Sequence, residues 1–279
     1  MSDRARERGA PQPTHRIGAG IVFAGGCPRS GLTLLRRFLA RHPDILAGPD
    51  TAIAPSVAFQ WRHFAQSLGS LHKEYFDLEP AAVSAILGRF LEGALRAEHE
   101  RRIILEKTSV NVAAFEALAD MMPHAKFIHV VRDGRDVAAS LLQRDWRDPA
   151  TGHPFAHVSD ANAAITYWAS LIATGIAAER KLRASGRVLR VRYEDIVLQP
   201  EATVTTILNF IGAEWPPSKP LDPPLVDSDY RGMERDSLPL LQGAVTRTRV
   251  GRYKTDFPSS LLRQIEESGG PALTALGYL

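Results

Sequence analysis

Residues 26–33 read Gly-Cys-Pro-Arg-Ser-Gly-Leu-Thr. The two glycines and the final threonine have the spacing of a nucleotide-phosphate loop, G-x-x-x-x-G-K-[ST], with Leu32 where the lysine would stand. A short apolar run, Ile21-Val22-Phe23-Ala24, leads into the loop, and a helical pattern from Thr33 to His42, stopped before Pro43, leads out of it. Glycines let backbone wrap an oxyanion, and the amides that open a helix have no partner inside it. The glycine turn and the opening amides of the helix that follows are therefore the expected anion cradle. Leu32 removes the point charge that would sit near the outer phosphates of a triphosphate. Arg29 restores a cation, and its planar fork suits bidentate anion binding. The chemistry expected is anion capture without the ordinary ATPase or kinase arrangement, against the plainer alternative of a glycine-rich turn.

A second basic segment, Val131-Arg132-Asp133-Gly134-Arg135-Asp136-Val137-Ala138-Ala139-Ser140, follows a β-rich run and opens a helical one. Asp136, Ser140 and Arg144 are four apart and share a helix face. Arg132 and Ser140 are expected to meet on one anion; the alternative is a solvated, salt-bridged helix start. Two anion sites on one sheet point to one ligand with two phosphate groups. His129 lies in a buried-type run and reads as a core histidine, and His42 as a helix end. His153 and His157 have H-x₃-H spacing without the further ligands zinc needs, so no metal is expected. Phe59, Trp61 and Phe64 read as core residues or as an acceptor wall.

The elements that must position these residues alternate. Strand-like runs fall at residues 21–24, 102–105, 126–131 and 187–192. Helical patterns fall at 33–42, 80–100, 112–122, 134–146, 160–185 and 200–212. Such alternation predicts an α/β, three-layer fold: a central parallel sheet flanked by helices, with ligands outside the carboxyl ends of the strands. Residues 1–18 read as a disordered tail, and 19–279 as a single domain with acceptor-side loop insertions at about 147–160 and 216–245, the second rich in proline. The chain of 279 residues is 44% hydrophobic and 23% charged, ordinary for a globular protein and unlike a disordered one. Its net charge of +3 comes largely from the tail, so nucleic-acid binding is disfavoured. The single cysteine, Cys27, excludes an internal disulfide. With no signal-like leader and no apolar run near 20 residues, the chain reads as cytoplasmic and without membrane contact.

Taken in order, these segments resemble the sulfotransferase family that uses 3′-phosphoadenosine 5′-phosphosulfate (PAPS), most closely its tyrosylprotein-sulfotransferase-like and bacterial branch, over roughly residues 20–255. The resemblance implies a P-loop-containing fold and PAPS as donor, leaving adenosine 3′,5′-bisphosphate (PAP), with no metal. It implies that Pro28-Arg29-Ser30-Gly31-Leu32-Thr33-Leu34 holds the 5′-phosphosulfate, and that Arg132 and Ser140 hold the 3′-phosphate. Tyr193, in Val191-Arg192-Tyr193-Glu194-Asp195, would lie near the adenine. Val250-Gly251-Arg252-Tyr253-Lys254 would cover the nucleotide, with Thr246 or Thr248 near the leaving group. Gly48-Pro49-Asp50-Thr51 matches the segment that carries an acidic base, so Asp50 becomes the expected general base, in a pocket that should make it more basic. Lys107, in Leu105-Glu106-Lys107-Thr108, would join Arg29 in neutralising charge on the bridging oxygen.

Some positions depart from the family pattern. Leu32 replaces a threonine, Pro49 an acid, Arg249 a common serine and Tyr253 a common tryptophan. Ala52 stands where the tyrosylprotein branch has a substrate-binding arginine. The expectation is therefore in-line transfer to a small-molecule hydroxyl, with a homodimer possible. The competing readings are a tyrosine-peptide sulfotransferase, a P-loop kinase, a catalytically eroded nucleotide-binding module and a nucleic-acid binder.

Overall fold

The computed structural model describes residues 16–97, 101–215 and 245–279. Five parallel strands form one sheet: β1 (Ile21–Gly25), β2 (Ile45–Ala47), β3 (Ile103–Lys107), β4 (Lys126–Val131) and β5 (Val188–Arg192), in the order β2-β3-β1-β4-β5. The three central strands are almost wholly buried, which explains why they read as continuous apolar runs rather than alternating ones. Alternate residues still face opposite layers. Ile21, Phe23, Ile104 and Phe127 pack on one side, with Phe23 and Phe127 stacked 5.8 Å apart. Val22, Ala24, Leu105 and Ile128 pack on the other.

The helices are α1 (Leu32–Leu39), α2 (Ile53–His63), α3 (Gly69–Phe76), α4 (Pro80–Arg96), α5 (Phe115–Met121), α6 (Gly134–Leu141), α7 (Ala156–Ser159), α8 (Ala161–Leu182), α9 (Tyr193–Leu198), α10 (Pro200–Ile211), α11 (Tyr253–Asp256) and α12 (Ser259–Ala275). α5 and α8 cover the first face of the sheet; α1, α9 and α10 cover the second.

Several boundaries differ from the sequence reading. The helix expected over 134–146 stops at Leu141, because the chain doubles back: the Phe155 amide donates to the Trp146 carbonyl (3.0 Å), and Arg147 and Pro154 form an isolated bridge. The helix expected over 112–122 opens as a tight 3₁₀ segment, Ser109–Ala114. Ile17 packs on the core and the Gly18 amide donates to Glu92 (3.2 Å), so the expected tail of 1–18 gives way to structure before Gly18. The expected insertion at 216–245 lies outside the described residues except for Val245.

His129 sits where a core histidine belongs, fully buried on β4. Its Nδ1 is 2.6 Å from Glu179 on α8, and Arg190 Nε donates to the same carboxylate at 2.9 Å. Burial alone would push Glu179 up; the bonds and charges of His129 and Arg190 outweigh it and bring the carboxyl to about 2. A depressed carboxyl stabilises the fold above its unfolded value of 4.5, and that stability is lost as pH falls towards 2. Glu179→Gln is expected to cost about 3 kcal/mol at neutral pH, a difference that closes as pH falls. Denaturant titrations of both proteins at several pH values check this; a pH-independent difference would refute it.

Candidate active site

β1 ends at Gly25 and the chain turns through residues 26–31 into α1. Two positions in this turn admit only glycine. A Cβ on Gly26 would stand 2.2 Å from the Val130 carbonyl oxygen, and one on Gly31 (φ 102°) would stand 2.5 Å from the Tyr193 ring. Arg29 holds φ 74°, a left-handed conformation that an arginine rarely adopts. α1 begins with no side-chain cap and no acid in its first turn, so its opening amides are left to a ligand or solvent.

Arg132 leaves the end of β4 and joins three parts of the site. It donates to the Arg29 carbonyl in the loop (3.1 Å) and to the Arg249 carbonyl in residues 245–254, the C-terminal strap, and its guanidinium lies 4.2 Å over the Tyr193 ring. Its Nε is buried and has no partner among the described residues. Ser140, on α6, accepts from Arg29 Nε at 3.2 Å. The loop and the second basic segment thus border one cavity rather than two separate sites. Asp136 does not share that role. It is buried, accepts from the Gly251 (2.8 Å) and Tyr253 (3.1 Å) amides, and so pins the strap onto α6. Burial pushes its carboxyl up, against the opposing charge of Arg132 and the two amide bonds.

The turn after β2 delivers Asp50, and the end of β3 delivers Lys107. Their side chains form an ion pair in which Lys107 is 1% exposed and Asp50 30%. Both line a cavity of about 590 Å³. That volume is ordinary for a ligand site. Arg29, Gly31, Leu32, Thr33, Leu34, Arg132, Ser140, Tyr193, Thr246 and Arg252 share its wall. Four expected site residues do not. Ser30 is fully buried within the loop, and its hydroxyl has no partner among the described residues. Thr248 is bonded to Thr246, their hydroxyls 2.9 Å apart. Gly251 faces Asp136, and Lys254 is exposed beside Tyr253.

Sequence reasoning missed part of the wall. Arg37 and Arg249 add to Arg29, Lys107, Arg132 and Arg252, so among the described residues six cations face the single acid Asp50. Arg37 follows Thr33 by four residues on α1, a spacing that could have flagged it. The apolar end is Trp146, Phe155, His157 and Tyr167 rather than Phe59, Trp61 or Phe64. His157 stacks on Tyr167 at 4.3 Å and on Phe155 at 5.4 Å. Burial lowers the His157 pKa, which favours the neutral imidazole. Trp61 instead belongs to the core cluster, with Phe64 packed 6.0 Å from it.

A model described as the sulfotransferase family matches residues 22–217. The chain belongs to the sulfotransferase family. It is 31% identical over 201 residues to protein-tyrosine sulfotransferase 1 of Danio rerio, covering 70% of this chain and 54% of that one. It is 27% identical over 273 residues to the protein-tyrosine sulfotransferase of Drosophila melanogaster, covering 92% of this chain and 51% of that one. The chain thus spans about half the length of these relatives. Its fold is similar to the sulfotransferase domain of the Synechococcus PCC 7002 olefin synthase (TM-score 0.61, 21% identity, 93% and 96% of the two chains covered). It is also similar to the mouse sulfotransferase SULT7A1 complexed with PAP (TM-score 0.52, 15% identity, 91% and 84% covered). At these identities the likeness is one of fold, and the fold is the P-loop-containing α/β architecture expected from the sequence.

Proposed function

We propose that this sulfotransferase-family chain moves the sulfuryl group of PAPS onto the hydroxyl of a small-molecule acceptor and leaves PAP. The observation that carries this is the convergence of the loop, Arg132 and Ser140 on the cavity that holds the Asp50–Lys107 pair. The residues fit the donor: uncapped helix amides, glycine at the two tight positions, and a buried Arg132 Nε still able to donate. The donor supplies the sulfuryl group when bound. Loop amides and Arg29 hold its 5′ end, Arg132 and Ser140 its 3′-phosphate, and Tyr193 offers a face near the base.

In the step itself the acceptor oxygen bonds to sulfur, the bond from sulfur to the phosphate oxygen breaks, and Asp50 takes the hydroxyl proton. Lys107 and Arg29 offset charge on the departing oxygen, and Thr246, which lines the cavity, is assigned the hydrogen bond there in preference to Thr248. Such fixed donors supply catalysis by positioning and electrostatics, without a metal in the proposed scheme.

Ala52 and the wall of Trp146, Phe155, His157 and Tyr167 support a small, apolar acceptor, because an acidic peptide needs cations where Ala52 stands. The names of the tyrosine-sulfating relatives favour a second reading, a tyrosine peptide. A cytoplasmic location belongs to the same proposal. The test begins with calorimetric titration of PAP beside ADP with Mg²⁺, followed by an acceptor panel of phenols, aliphatic alcohols and acidic tyrosine peptides. PAP should bind far more tightly than ADP, and a small hydroxyl should be sulfated. Preference for ADP–Mg²⁺ would restore the kinase reading. Binding without turnover would mean an eroded module, and sulfation of peptides alone would overturn the small-molecule acceptor.

A further inference from the structure

Glu106 and Lys107 are neighbours on β3 and project to opposite faces of the strand. Lys107 points into the cavity and meets Asp50; Glu106 points away from it and is 4% exposed. Its carboxylate gathers three donors: the Thr108 hydroxyl (2.6 Å), the Thr51 hydroxyl (3.2 Å) and the Asn111 amide. All three are neutral. Burying a carboxylate costs free energy unless it is well bonded, and a cation normally accompanies it. Burial and the charge of Asp50 push Glu106 up, while the three bonds hold it down.

The arrangement makes sense through what these donors carry. Thr51 directly follows Asp50. Ala52 comes next, with φ 56°, a left-handed conformation that alanine avoids. Its amide donates to the Thr108 hydroxyl at 3.2 Å, the same hydroxyl that donates to Glu106. One buried carboxylate therefore fixes both residues that follow Asp50, one directly and one through Thr108. Asn111 ties the carboxylate in turn to the Ala24 carbonyl (3.1 Å), on the strand that feeds the phosphate loop.

We propose that Glu106 is a positioning residue: it locks the 50–52 turn against β3 and so sets where the Asp50 carboxylate stands relative to Lys107 and the loop. This rests on the reading of Asp50 as the base. It predicts an effect on turnover that spares nucleotide binding, because none of the Glu106 contacts reaches Arg132, Ser140 or the loop amides.

The test is steady-state sulfation of the best acceptor at saturating donor, beside PAP calorimetry and thermal unfolding, for Glu106→Ala, Glu106→Gln and Thr51→Val. Glu106→Ala should lower kcat by about a hundredfold, the cost of a misplaced catalytic group, with PAP affinity held within about twofold. Glu106→Gln should recover to within about fivefold of the parent. Its carbonyl can accept both threonine hydroxyls, and Asn111, whose buried Oδ1 has no partner among the described residues, can turn its amide to accept from the new NH₂ at the cost of its bond to the Ala24 carbonyl, so the recovery is incomplete. Thr51→Val keeps the shape, removes the bond to Glu106 together with the long one from the Ile53 amide (3.4 Å), and should lower kcat about tenfold even if the alanine variant does not fold. An unchanged kcat in Thr51→Val, or PAP affinity falling in step with kcat, would overturn the positioning role. A parent protein that sulfates no acceptor would instead sink the functional reading on which it rests.

Discussion

Asp50→Asn is expected to lower kcat by about 10²- to 10⁴-fold while PAP binds as before, because the change removes proton acceptance and the charge opposite Lys107 but keeps the shape of the side chain. Asparagine is the informative substitution. Lys107 is 1% exposed, and alanine would leave a hole as well as remove the charge beside a buried ammonium. Asparagine keeps the volume and an oxygen able to accept from Lys107, so the nucleotide half of the cavity should be undisturbed. The carboxylate does two things in this geometry. It is available to take a proton at the 30% of its side chain that remains exposed, and it orients the Lys107 ammonium that would offset charge on the departing oxygen. Single-turnover kinetics with PAPS, read beside calorimetry of PAP, separates these from binding. Unchanged turnover would remove Asp50 from the mechanism; a parallel fall in PAP affinity would mean that the pair supports the phosphate loop instead.

Much of this site was legible because its signals are local. The loop spacing from Gly26 to Thr33 and the Arg132–Ser140 segment each suggest an anion site within ten residues, and both border the cavity where strand meets helix in the structure. What could not be read depends on contacts between distant segments. β2 has three residues, too few for any alternation to register, yet it delivers Asp50. α12 runs through Gly269-Gly270-Pro271, which reads as a stop; the helix continues because Gly269 lets it approach α8, where a Cβ would stand 2.6 Å from Ile165. Helical spacing put Asp136 beside Ser140, but a buried carboxylate goes where unpaired amides are, and those belong to Gly251 and Tyr253, more than a hundred residues on. The aromatic wall is assembled from residues 146, 155, 157 and 167 by a turn whose Arg147–Pro154 bridge no pattern announced, and the H-x₃-H spacing of His153 and His157 gave no hint of it.

Arg132→Ala is expected to weaken PAP binding by about 10- to 150-fold, the worth of roughly 1.5–3 kcal/mol for hydrogen bonds to a charged group. ADP should lose less, since it has no 3′-phosphate for the guanidinium to hold. The structure adds a second consequence. The same guanidinium bonds the carbonyls of Arg29 and Arg249, so the variant loosens the loop and the strap together. Arg132→Lys separates the two effects. Lysine keeps the charge near a phosphate but cannot reach two carbonyls and lie flat on Tyr193 at once, so it should recover part of the PAP affinity and little of the strap's order. Hydrogen exchange of the Gly251 and Tyr253 amides, which Asp136 holds, reports that order directly. Removal of Arg132 also takes the opposing charge from Asp136, which burial already pushes up, so the alanine variant should lose stability at neutral pH and regain it as the carboxyl protonates. Equal losses for PAP and ADP would place the 3′-phosphate elsewhere, and slow exchange at those two amides in both variants would show that Asp136 holds the strap without help from Arg132.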